Sequence, residues 1–106
     1  MAIQKTISKK GANLSYHRII NPLVNKNSTS FTVLHYVDAD NRAERDNNYI
    51  FKTNMSLPCD DSNGDVVENI DVEALKAEGV NQYTAIYSVL KANAFDDVDL
   101  SGATDV

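Results

Sequence analysis

Apolar residues recur with two different periods along this chain, and the change falls at one place. As far as Leu57 they tend to alternate with polar residues; beyond the polar stretch CDDSNGDVVENID (Cys59 to Asp71) they recur at helical spacing. Alternation places side chains on opposite faces of a strand, whereas i, i+3, i+4 spacing gathers them on one side of a helix. The chain therefore reads as strands first and helices after, which is the α+β class.

Four stretches of the first half read as strands. IQKTISK alternates loosely and ends in a turn at KKGAN; LSYHRII (Leu14 to Ile20) is rich in aromatic and β-branched residues. SFTVLHYVD (Ser30 to Asp38) carries the strongest strand pattern, and YIFKTNMSL (Tyr49 to Leu57) ends at Pro58. NPLVNKNST is expected to break the second strand, because Pro22 cannot donate to a ladder. If that hairpin turns near Lys26, facing residues sum to about 52, which sets His17 opposite His35 and Tyr16 opposite Tyr36.

In the second half Asp71 and Gly79 are positioned to start and stop a short helix over DVEALKAEG. Asn81 is placed to cap a second, QYTAIYSVLKANA, whose Tyr83, Ile86, Tyr87 and Leu90 form one apolar stripe, extended by Val89 and Phe95. That stripe reads as core. The simplest assembly is a single domain over residues 1–106: an antiparallel meander of three to four strands with two short helices on one face, and residues 96–106 as an acidic flexible tail.

Charge is distributed unevenly. Residues 1–59 carry eight Lys/Arg against four Asp/Glu, a surplus of +4; residues 60–106 carry two Lys against eleven acids, −9, for a net −5. An acidic whole argues against nucleic acid as a partner, because phosphate binding needs cationic surface. No apolar run approaches the ~20 residues of a membrane span. MAIQKTISKKG lacks the apolar segment of a secretory signal, and Cys59 has no second cysteine to pair with. Both fit a reducing cytoplasm, in which Asn13, Asn27 and Asn54 are chance glycosylation triplets. A basic half joined to an acidic half suits copies that meet head to tail.

Candidates for chemistry are few. With Gly64 at position 6 of an EF-hand loop, Asp61 and Asn63 fall on ligand positions, but Cys59 and Ile70 occupy both essential ends, so the stretch reads as a turn. His17 and His35 lack a third ligand at metal-site spacing and read as polar surface or a strand-face contact. Cys59 precedes two aspartates rather than cations, and Asp96 and Asp97 are adjacent and so point apart. No nucleotide-binding or hydrolase motif is present. The residues point to no cofactor, no metal and no enzyme. RAERD (Arg42 to Asp46) is a dense mixed-charge segment that reads equally as solvated loop or binding loop.

Three segments in order, GANLSYHRI, VLHYVDADNRAERD and VNQYTAIYSVLKANAFDDVDL, resemble small structural proteins of the tail module of tailed bacteriophages. Tyr16, His17 and Ile19 carry the first likeness; Tyr36, Asp38 and Arg45 the second; Tyr87, Leu90, Lys91, Phe95, Asp96 and Asp97 the third. The chain departs from that pattern in PLVNKNSTS and DSNGDVVEN. The resemblance implies a virion component of the tail, baseplate or neck, assembled in the host cytoplasm, whose partners are other copies and larger virion proteins. Capsid decoration, fibre anchoring, or binding of a host protein by a non-virion product are the competing expectations. The interface residues expected are Lys9, Lys10 and Arg18 among the basic ones, Arg42 and Arg45 in the mixed segment, and Asp96, Asp97 and Asp99 in the tail. Arg18 and Arg45 are the stronger anchors, since a guanidinium binds a carboxylate through two hydrogen bonds.

Overall fold

The computed structural model describes residues 2–9, 11–45 and 47–106. It has the α+β architecture expected. Strands β1 (Ile3–Lys9), β2 (Ala12–Val24), β3 (Thr29–Tyr36) and β4 (Phe51–Leu57) form an antiparallel meander. Helices α2 (Val72–Glu78) and α3 (Gln82–Ala92) supply Leu75, Ile86, Tyr87 and Leu90 to the core on one face of the sheet. Asp71 caps α2 through Glu73 and Ala74, Gly79 ends it at φ 69°, and Asn81 caps α3 through Tyr83. These are the caps the sequence marks.

A fifth strand joins the sheet. β7 (Thr104–Asp105) pairs with Ile3 and Gln4 of β1, giving the order β4-β3-β2-β1-β7. This corrects the reading of residues 96–106 as a flexible tail. Val98, Leu100 and Ala103 are buried beside Phe95, so the segment packs into the core although its alternate residues are acidic. Among the described residues, no helix is long and apolar enough to cross a membrane.

Pro22 does not end β2, which runs through it to Val24. Two local features accommodate it: Asn21 adopts φ 52°, and the β2–β3 register slips between Ile20 and Leu23. β1 reaches only as far as His17, so beyond that point β2 has a sheet partner on the β3 side alone. A proline there removes no bond on the β1 side. Where β2 lacks that neighbour, the Ile19 amide donates to the Tyr87 hydroxyl at 2.8 Å.

The CDDSNGDVVENID stretch folds as a small hairpin, β5 (Cys59–Asp60) against β6 (Val66–Val67). Asp61 Oδ1 accepts from the amides of Asn63 and Asp65 at 2.8 and 3.0 Å, and Gly64 takes φ 84°. These are the side-chain bonds and positive φ of a turn, as its residue types imply. The mixed-charge segment begins as a short helix, α1 (Ala39–Glu44), capped by Asp38; Asp46 lies outside the described residues.

Candidate functional site

Two polar clusters meet on β2. The first faces inward. His17 and His35 are directly opposite one another in the register expected, on the same face as Ile19 and Val33. Both are fully buried, so of the two readings, polar surface or a strand-face contact, the first is corrected and the second is what the structure shows. Their Nδ1 atoms are 2.7 Å apart; His17 Nε2 lies 2.7 Å from the Lys5 carbonyl, and His35 Nε2 lies 2.8 Å from the Thr53 hydroxyl.

Those contacts fix the proton positions. A carbonyl only accepts, so His17 Nε2 donates to Lys5 and, in the neutral ring, Nδ1 accepts. His35 Nδ1 must then donate to it, which leaves His35 Nε2 to accept from the Thr53 hydroxyl. The chain Thr53→His35→His17→Lys5 uses all four ring nitrogens with both imidazoles neutral. Burial holds His17 below the usual imidazole range, opposed by the Lys5 carbonyl. His35 is pushed down to about 3, by burial first and then by His17 and Lys9. Two nitrogens on one tetrahedral zinc stand roughly 3.3 Å apart. The 2.7 Å spacing is therefore that of a direct hydrogen bond. Among the described residues, no group of three or more His, Cys, Asp or Glu is arranged to hold a metal.

The second cluster faces outward. Arg18 follows His17 and points to the opposite side of the sheet, where its Nε donates to the Tyr36 hydroxyl at 3.0 Å. Tyr36 is fully buried there, edge-on to Tyr16 and Tyr49 at 5.8 and 6.4 Å between ring centres. Beside Arg18 opens a groove of 590 Å³ lined by Tyr16, Arg18, Arg42, Asn81, Tyr83 and Thr84, among others. No Asp or Glu is among the described residues lining it. β2 contributes its Arg18–Asn21 stretch, α1 contributes Arg42, and the first turn of α3 closes the other wall. Tyr83, expected in the core stripe, is 38% exposed and belongs to this groove, while Ile86, Tyr87 and Leu90 of that stripe are buried as expected.

The other expected interface residues fall elsewhere. Lys9 donates to the Asp97 carbonyl at 2.7 Å and lies 5.4 Å from the centre of the Phe51 ring. Lys5 meets Asp99 at 3.2 Å and the Ser101 carbonyl at 2.7 Å. Asp99 is held below the usual carboxylate range, chiefly by the Ser101 side chain. Lys9 and Asp99 are thus engaged within one chain through their side chains, and Asp97 through its backbone carbonyl. Arg45 ends α1, is exposed, and is not among the described residues that line the groove. Lys10 lies outside the described residues.

Asp96 and Asp97 join Asp60 around a shallow depression beside Asn54, Ser56 and Cys59. The Cys59 thiol registers that crowding: burial raises its pKa first, and Asp60, Asp97 and Asp61 raise it further. Sequence spacing shows neither surface, because each gathers residues from segments far apart along the chain. Comparison with protein-family models, with curated proteins and with solved structures returns no match.

Proposed function

We propose that this chain is a non-enzymatic structural protein of a tailed-bacteriophage particle, a tail, baseplate or neck component. In this reading it assembles in several copies and docks to larger virion proteins. The resemblance of its three segments supplies the address. The observation that carries the binding role is the outward groove. Its lining of Arg18, Arg42, Tyr16, Tyr83, Asn81 and Thr84 offers guanidinium, phenol, amide and hydroxyl groups suited to contacts. Arg and Tyr are also the residue types that dominate binding energy at interfaces. The described residues that line the groove include no paired carboxylates and no nucleophile beside a base. The histidines, whose ring nitrogens are all engaged in the core, are read as structural.

Quantitative mass spectrometry of purified particles tests the reading. The chain is expected at a fixed multiple of copies per particle, retained after a high-salt wash. Abundance in infected cells together with absence from particles overturns it and moves the reading to a host-directed binder.

A further inference from the structure

We propose that the outer edge of β4 takes up an extended, basic segment of a partner protein as an added strand. The inference rests on the docking role proposed above and names the chemistry of the segment that docks.

The two edges of the sheet differ, and that difference is the first support. On the β1 side the ladder shifts between Gln4 and Ile7, and β7 covers Ile3 and Gln4. Lys5 and Lys9 bond Asp97, Asp99 and Ser101 of the C-terminal segment. Bulges, lysines and covering segments are the devices by which sheets protect an edge. β4 closes the other side. It pairs with β3 from Thr29↔Leu57 to His35↔Phe51 with no register shift. Among the described residues no strand lies beyond it. It holds no proline, and Lys52 is its one charged residue. A strand so placed presents a row of backbone amides and carbonyls, which is what strand addition uses.

Charge selects the occupant. Beside the strand, Asp60, Asp96 and Asp97 border the depression that Asn54, Met55 and Ser56 line from β4. All three aspartates are exposed, and no Lys or Arg is among the described residues lining the depression. Carboxylates flanking an edge favour a strand that carries Lys or Arg. The β4 of a second copy is a poorer occupant, because two-fold pairing would bring the same aspartates of both copies to one seam. The alternation of β4 sets the rest of the requirement. Thr53, Met55 and Leu57 are buried while Lys52, Asn54 and Ser56 are exposed, so an added strand meets one apolar row and one polar row.

Fluorescence anisotropy with a labelled peptide of about the length of β4, alternating lysine and valine, tests the proposal. The same peptide with glutamate for lysine is the control. The lysine peptide is expected to bind at least about tenfold more tightly than the control. The gap should narrow as salt rises, and also in Asp96→Asn/Asp97→Asn. Both aspartates are exposed, so that variant should unfold in urea as the wild type does. The bound peptide should slow hydrogen exchange in β4 and leave β2 unchanged. N-methylation of the peptide backbone keeps its charge but removes its amide donors, and should abolish binding. A lysine peptide that does not bind, equal binding of the two peptides, binding that survives N-methylation, or unchanged exchange in β4 overturns the strand addition and leaves the virion reading standing. Absence of the chain from purified particles overturns that reading alone, since the peptide measurement does not depend on it.

Discussion

His17 and Arg18 are neighbours in sequence, yet one is fully buried and the other lines a surface groove. Alternation along β2 separates them. His17 turns toward the helices, where every polar atom of the pair it forms with His35 has a partner. Arg18 turns away, toward Tyr36, Tyr16 and the groove that Tyr83 and Arg42 wall. The inward cluster is a closed circuit whose disruption is felt by the fold. The outward cluster borders the groove, and under the proposed docking role its disruption is felt by a partner. The difference is testable, because a change at each should move a different measurement.

The largest effect is expected at the inward pair. His35→Ala leaves a cavity and takes partners from His17 Nδ1 and the Thr53 hydroxyl, both buried. Lost packing and unmet polar groups together should cost about 3 kcal/mol. Urea unfolding at neutral pH measures it. A loss below about 1 kcal/mol would mean that the pair is solvated, and the inward–outward contrast would fail.

Acid should act on the same pair. Neutral imidazoles in the fold and ordinary ones in the unfolded chain mean that the unfolded state binds more protons once pH falls below 6.5. Stability conferred by the depressed pKa is fully present above that value and declines as pH drops toward about 3. By pH 5 His35 alone should account for a loss of about 2 kcal/mol. His17→Leu/His35→Leu should flatten the slope between pH 7 and 5, whatever its effect on absolute stability. A double variant with the wild-type slope would assign the acid sensitivity to the carboxylates.

A smaller effect is expected where the two regions touch. Tyr87 closes the end of the unpaired β2 edge, and Tyr87→Phe removes the acceptor of the Ile19 amide without changing the packed ring. A loss of about 1 kcal/mol is expected, with hydrogen exchange at Ile19 accelerated more than at Val33. Equal acceleration at both would show that the bond holds no local edge in place.

The order of the four meander strands, the hairpin register and the helix caps were legible because each is a local rule. The register followed from a turn near Lys26, and the caps from Asp71, Gly79 and Asn81. Burial of the histidines was harder to read. Parity groups His17 with Ile19 and His35 with Val33, but Tyr16, Ile20, Leu34 and Tyr36 make the opposite face apolar as well. Alternation says which residues share a face, not which face the helices cover. β7 has two residues and no periodicity to display. Lys9 and Asp97 looked like partners between copies because their charges are opposite; that they meet in one chain depends on β7 bringing the C-terminal segment alongside β1. The groove needs β2, α1 and α3 at once, and Tyr83 sits in sequence like a core residue.

Tyr83 gives the smallest effect on stability and for that reason sharpens the comparison. It shares a stripe with Ile86, Tyr87 and Leu90, but those are buried while it remains 38% exposed in the first turn of α3. Truncating a partly exposed ring that leaves the core intact should cost under about 1 kcal/mol, against the larger loss at His35. In the groove the same ring is a wall beside Arg18 and Arg42, so if the groove carries the proposed assembly, Tyr83→Ala should weaken self-association by at least about tenfold while unfolding hardly changes. Light scattering and urea unfolding on one preparation read both quantities. If stability falls by as much as for His35→Ala, Tyr83 belongs to the core after all, and the line between the closed region and the open one must be redrawn one helical turn nearer the start of α3.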